Sequence, residues 1–341
     1  MKKPPSFLEN RPLVQRRHLL AALAAAPLAT PALIGPARAQ GAWPSAPVRL
    51  VVPFAAGGPT DVPARLVADE LSKMLPQRVI VENRTGAGVV VGSDVVAKAP
   101  KDGQTLLYTT IAHAALRSIF PRLPFDPLAD FTPVALTGVI PMLMMVNKDL
   151  PVNSLPELVA LIKANPGKYD YASTGNGAAL HLATELFLNR AGGLKVNHVP
   201  YRGSAAAMPD LLNGTVAMML DVANSALPFV TRGEVKGLAI SGAHRLPQVP
   251  AIPTFIEAGV PGYEAYTWHM VLAPSGTPEP VVDAVNDALN KVMAMDSVKQ
   301  RLSDLTMETR SDTTPASAKK WLDDEIAKWE PIIKAAGIKA D

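Results

Sequence analysis

The chain has 341 residues, 48% of them hydrophobic and 18% charged, with no cysteine. That length suffices for one large domain or two modest ones with a sizeable buried core. The lack of thiols excludes a disulfide scaffold, a thiolate metal site and a cysteine nucleophile. The formal charge of +3 is unevenly placed: residues 1–40 hold Lys2, Lys3, Arg11, Arg16, Arg17 and Arg38 against Glu9 alone. The remainder is slightly acidic and presents no electrostatic footprint for nucleic acid.

Residues 1–40 read as an export leader. A basic start precedes an uncharged run over 19–34, and Ala37-Arg38-Ala39 supplies a small-x-small cleavage site. That order is the secretory signal pattern, and the pair Arg16-Arg17 points to the twin-arginine route. The run is broken by Pro27 and Pro31 and falls short of the roughly 20 apolar residues of a spanning helix. The expected location is therefore the periplasm, after cleavage of the leader.

Beyond the leader, short β-branched runs alternate with amphipathic stretches. Residues 48–53 read as a buried strand, and 61–75 as a helix with Leu66, Leu71, Met74 and Leu75 inward. Strands follow at 78–82 and 105–109, with a short helix after Gly86 to Gly92 between them. Two strands are expected at 134–136 and 143–146. Ser154 and Glu157 are spaced as a capping box for a helix that ends at Asn165-Pro166-Gly167. Strands at 169–172, 197–200, 216–220 and 238–241 alternate with helices at 177–190 and 204–212. After a strand at 263–273 the chain closes with helices at 280–295 and 317–336, where Trp321, Ile326 and Trp329 at helical spacing read as core.

Alternation of this kind predicts an α/β fold with mostly parallel sheets flanked by helices. Two sheet groups joined near 138–147 and 263–273 predict two lobes, 43–142 plus 267–341 and 143–266. Ligands of such sheets bind beyond the carboxyl ends of the strands, here in the cleft between lobes.

Catalytic signatures are missing. No serine has glycines on both sides at the hydrolase-elbow spacing, and there is no Walker loop or HExxH. The histidines make no spaced metal pair, so no metal and no cofactor is expected. The chemistry lies instead in loops between strands and helices. The first is 53–61, with Phe54, Ala56, Gly57, Gly58, Pro59, Thr60 and Asp61. Its two glycines let the backbone approach a ligand, and the helix start directs N–H groups at an anion. Thr60 either caps the helix or binds; Asp61 either holds the loop or reads a ligand donor. The second loop carries Ser173, Thr174, Asn176, Gly177 and Ala178. The third carries Tyr201, Gly203 and Ser204, and there Arg202 is expected in a salt bridge behind the loop. Asp221 and Asn224 end another strand, and Thr110 and His113 follow the strand at 105–109.

These loops, with Val81-Glu82-Asn83-Arg84, Gly86-Ala87-Gly88, Asp102-Gly103-Gln104-Thr105-Leu106-Leu107, Val199-Pro200-Tyr201-Arg202-Gly203-Ser204 and Leu272-Ala273-Pro274-Ser275-Gly276-Thr277-Pro278, resemble the Bug family. These are the TctC-like extracytoplasmic receptors of tripartite tricarboxylate transporters. The resemblance runs from about Trp43 to the C-terminus. It implies a type II periplasmic binding protein, a monomer that closes on a small organic carboxylate. The loops matching 54–61 and 173–178 would grip the carboxylate, and a large and a small integral membrane subunit would be the partners. An extracytoplasmic sensor would need the same cleft. A periplasmic enzyme on this scaffold would need a nucleophile–base pair or a metal, and the sequence shows neither. Leu116-Arg117 replace the Asn-Pro usual in the family after His113, Val89-Val90-Val91-Gly92 replace Gly-Asn-Ile-Gly, and His269 replaces a small residue. The first change predicts a more apolar ligand end.

Overall fold

The computed structural model describes residues 43–339; the leader, its arginine pair and its cleavage site lie outside the described residues. β1 (Val48–Val52) pairs in parallel with β2 (Val79–Asn83) on one side and β3 (Thr105–Thr109) on the other. α1 (Asp61–Met74) and α2 (Val90–Ala97) are the crossovers. Every residue of β3 is buried, as expected of a strand covered on both faces. The buried stripe of α1 is centred on Ala64, Ala68 and Leu71. At 100° per residue Met74 lies roughly 80° off that line, so it is 39% exposed rather than inward.

The two strands expected at 134–136 and 143–146 are one, β4 (Phe131–Asn147), 17 residues long. Its first part pairs antiparallel with β9 (Tyr266–Pro274) and β10 (Glu308–Thr309). Its second part pairs antiparallel with β7 (Met218–Val222) and β8 (Val235–Ile240). Pro133, Gly138 and Pro141 hide this strand from a periodicity reading. The register slips between Pro133 and Ala135 and again between Leu136 and Gly138, which is how a strand absorbs proline and glycine. Pro141, with no N–H to donate, pairs with Tyr266, while Met142 pairs with Val222. The strand changes partners there. Ser241, fully buried, ties the crossing together. Its Oγ accepts from the Met142 amide at 2.7 Å and donates to the Ala265 carbonyl, while its own amide donates to Met142 O at 2.8 Å.

β5 (Asp170–Ser173) pairs in parallel with both β6 (Asn197–Pro200) and β7. The whole order is β2-β1-β3-β9-β4-β7-β5-β6. The outer strands of each portion are parallel, as predicted. β4 and β9 add antiparallel pairs because each crosses between the sheet portions. The result is a two-lobed α/β fold of the periplasmic binding protein type.

Helices cover the sheet. α3 (Ile111–Ile119) follows β3 directly, α4 is Leu155–Ala164, and α5 (Ala179–Arg190) and α6 (Ser204–Asn213) follow β5 and β6. α7 (Ala223–Thr231) follows β7, and α8 (Glu279–Ala294), α9 (Asp296–Asp304) and α10 (Pro315–Ala335) complete the chain. The pattern does not predict α3, α7 and α9, because each continues its predecessor with no glycine between them. At α4, Ser154 Oγ accepts from Glu157 N at 3.4 Å, but the Glu157 carboxylate takes the Asn153 amide at 2.7 Å. The expected box is thus shifted by one residue on its return side. α10 packs on α3 and α5, so it touches helices of both sheet portions. Its Trp329 is fully buried, while Trp321 and Ile326 are only partly so. No helix of the described residues is long and apolar enough to cross a membrane.

Candidate functional site

Strand direction decides where the loops meet. β3 and β4 both run antiparallel to β9, so β1, β2 and β3 point along β4 toward its crossing. β7 runs against β4 and is parallel to β5, so β5, β6 and β7 point back toward the same crossing. Thr109 and Leu136 share Met270 as partner. The end of β3 therefore stops about 17 Å before Pro141, at about 3.3 Å per residue, whereas Val222 sits at the crossing.

The loop 53–60 is shaped by Asp61, which is 1% exposed. Its Oδ2 accepts from Gly57 N and from Arg65 Nε, each at 2.7 Å, and its Oδ1 accepts from Asn83 Nδ2 at 2.8 Å. Burial pushes this carboxyl up, but the Arg65, Gly57 and Asn83 hydrogen bonds outweigh it and hold the group below its ordinary value. Of the two roles expected for Asp61, it fills the loop-holding one. The Gly57 N–H is therefore occupied, and the Gly58 N–H goes to Ala55 O at 3.2 Å. No acceptor among the described residues takes the N–H of Ala55, Ala56 or Thr60. Thr60 is buried and makes no side-chain cap. Phe54 is half-buried, and Pro59 is exposed at the tip.

The loop after β5 rests on two histidines that the sequence did not mark. Ser173 Oγ lies 2.6 Å from His198 Nε2 and also takes the Gly175 amide at 3.2 Å. Gly177 N donates to His181 Nδ1 at 3.0 Å. The Tyr171↔His198 register brings the first histidine beside the loop, and α5 brings the second. Ser173 and His198 thus form the hydroxyl–imidazole pair that the sequence did not reveal. Ser173 is buried and its Oγ is occupied by His198 and by the Gly175 amide, so the pair holds the loop in place. Asn176 Nδ2 donates to Lys339 O at 3.1 Å, and Gly177 packs against Ile119 and Ile338. Thr174 and Ala178 remain half-buried at the loop surface.

Around β6 and β7, Ser204 Oγ donates to Asp221 Oδ1 at 2.7 Å and Tyr201 OH donates to Asp210 at 2.6 Å. Gly203 (φ +109°) leads into α6. Arg202 is exposed and forms no ion pair among the described residues, contrary to the salt bridge expected. Thr110 caps α3 through Ala112 N at 3.4 Å. His113 turns inward instead of toward the loops. Its Nε2 meets Pro127 O at 2.9 Å, its ring packs edge-on against Phe131, and burial pushes it down to about 4. Leu116 is also core, 1% exposed. His269 is buried against Tyr108 OH at 3.1 Å. No group of three or more His, Asp or Glu among the described residues could hold a metal ion.

Two α/β sheet portions whose strand ends converge on paired crossing strands define the class of bilobal solute-binding folds. The chain belongs to one family within it: residues 63–338 match the tripartite tricarboxylate transporter family receptor, TctC. A relative from Pseudomonas sp. (strain P51), described as a UPF0065 protein in the tcbD-tcbE intergenic region, is 37% identical over 94% of each chain. Protein BugT of Bordetella pertussis is 35% identical over 92% of this chain and 95% of its own. Among solved structures, an R. palustris protein with adipate is 36% identical with a TM-score of 0.75, covering 87% of this chain and 99% of the other. MatC from Rhodopseudomonas palustris with bound malate is 34% identical with a TM-score of 0.73, over 85% and 100%.

Proposed function

We propose that the chain is a periplasmic receptor that captures a small organic carboxylate between two lobes, 43–142 with 267–341 and 143–266, once residues 1–40 are removed. The observation that carries the reading is the pair of strand-end loops directed at one crossing, with N–H groups of Ala55, Ala56 and Thr60 that no acceptor among the described residues takes. Such amides bind an anion without an opposing full charge, so the ligand can leave again. The relatives solved with adipate and with malate support a carboxylate. Thr60 and Thr174 are the side chains proposed for direct contact. Phe54, Ala56, Gly57, Gly58 and Pro59 shape the first wall; Asn176, Gly177, Ala178, Tyr201 and Gly203 shape the second. A ligand that bridges both lobes favours the closed form by its differential affinity for it. Uptake through a large and a small integral membrane subunit is the use the family implies, with the receptor acting as a monomer and not as an enzyme.

Calorimetry with a panel of organic acids tests this reading. Thr60→Ala and Thr174→Ala are each expected to weaken binding by about 0.5–3 kcal/mol. Unchanged affinity in both variants would place the site elsewhere, and a panel without any bound acid would end the carboxylate reading.

A further inference from the structure

Asp221, at the end of β7, is 0% exposed, yet its Oδ2 has no hydrogen-bond partner among the described residues. Its Oδ1 accepts from Ser204 Oγ at 2.7 Å and from Val222 N at 2.8 Å, which fixes the carboxyl and leaves the second oxygen open. Three residues on, in the first turn of α7, Asn224 Oδ1 is likewise buried without a partner. Buried polar atoms are almost always paired, and an exception asks for an explanation. Both orphans are acceptors. They sit beside Val222, which pairs with Met142 at the crossing where the two sheet portions meet.

A ligand carboxylate facing the ionised Asp221 would be repelled, whereas an N–H group would satisfy both oxygens. Burial pushes the Asp221 carboxyl up to about 7, against the opposing hydrogen bonds from Ser204 and Val222. A positively charged or N–H-bearing neighbour relieves that penalty, because an opposite charge favours the ionised form.

We propose that Asp221, seconded by Asn224, is the specificity-determining acceptor of this site and takes an ammonium or amide N–H of the ligand. The chain then prefers a carboxylate that also carries a nitrogen donor over a plain dicarboxylate. The inference rests on the carboxylate reading above and adds the ligand's second functional group.

Matched acids decide it: succinate with aspartate, glutarate with glutamate, and adipate with 2-aminoadipate, each titrated into wild type and Asp221→Asn by calorimetry. Asparagine keeps an acceptor for Ser204 and Val222 and places an NH₂ group where Oδ2 stands. Wild type is expected to bind the amino acid of at least one pair ten-fold or more tighter than its plain partner. Asp221→Asn is expected to lose or reverse that preference while still binding the plain acid. Equal affinities within every pair in wild type, or an unchanged preference in Asp221→Asn, overturn the inference alone. Binding of no acid by wild type overturns the carboxylate reading with it. Should Asp221→Asn fail to fold, judged by its circular dichroism, the wild-type preference decides by itself.

Discussion

The imidazoles of His181 and His198 stack with centroids 3.8 Å apart, and each holds one end of the loop after β5. The Gly177 amide donates to His181 Nδ1, so that nitrogen carries no proton and the ring must be neutral. Tyr171 also stacks on His198, with centroids 4.9 Å apart, and donates its hydroxyl to Glu185 at 2.6 Å. Protonating His181 would turn an acceptor into a donor facing an N–H, and protonating His198 as well would set two cations face to face.

Acid is therefore expected to loosen this loop. Burial and the neighbouring His198 hold His181 down to about 3, and burial lowers His198. A depressed imidazole contributes stability above its unfolded value near 6.5 and loses it as pH falls toward the folded value. Each such group contributes a slope of about 1.4 kcal/mol per pH unit within that window. His113 and His269, held down to about 4 and about 3, act in the same direction, while Asp221, raised to about 7, opposes one of them. Urea unfolding between pH 6.5 and 4.5 is expected to show falling stability, with a shallower slope in His181→Gln. Parallel slopes in the two proteins would remove His181 from this account.

Glu325 joins the last helix to the crossing strand. Its Oε2 accepts from Trp268 Nε1 on β9 and from Trp329 Nε1 on α10, both at 2.8 Å, and Lys328 pairs with its other oxygen. Glu325→Ala leaves two buried indole N–H groups without an acceptor, at about 1–3 kcal/mol each. Glu325→Gln keeps an acceptor and is expected to lose less. Equilibrium unfolding measures both, and an alanine variant as stable as wild type would show that water replaces the carboxylate without loss.

The two strand-end loops were legible because a buried apolar run that stops at glycines has few other structural meanings. Residues 53–61 and 173–178 show this directly. The roles inside the loops were less legible. Asp61 offered two readings, and only the positions of Gly57, Arg65 and Asn83 select between them. His198 reaches Ser173 through the register of β5 on β6, a pairing that no local window contains. Lys339 meets Asn176 only because α10 returns across the fold. β4 was split in two by its own prolines. Local chemistry is written along the chain, while a contact made by register or by a returning helix is not.

Gly177 shows how closely the two sheet portions approach. It has φ +70°, and an added Cβ would stand 2.7 Å from Ile119 Cδ1 and 3.3 Å from Ile338 Cγ2. Gly177→Ala is expected to lose about 1–2 kcal/mol from the left-handed backbone alone, and more from the contact. Ile119→Val deletes the clashing methyl. The double variant is therefore expected to recover the steric part and retain the backbone part, a coupling that a double-mutant cycle reads. Additive losses would mean that α3 moves aside freely.

Asp61 gives the sharpest separation between loop shape and ligand contact. Asp61→Asn keeps one oxygen but turns an NH₂ toward either Asn83 Nδ2 or the Gly57 and Arg65 donors. A loss of about 1–3 kcal/mol in stability is expected, the range for a buried group left unsatisfied. Arg65 is half exposed and recovers part of its solvation in water, so the penalty falls mainly on Gly57 and Asn83. Because the folded carboxyl is held below its ordinary 3.8, its contribution is present above that value and lost only as pH falls through the folded value. The effect of the substitution is therefore expected to be constant from pH 5 to 8. Ligand affinity is expected to fall further in Asp61→Asn than in Thr60→Ala, since the whole loop with its free amides shifts rather than one hydroxyl. If calorimetry finds Asp61→Asn destabilised but undiminished in affinity, the amides of Ala55, Ala56 and Thr60 do not hold the ligand.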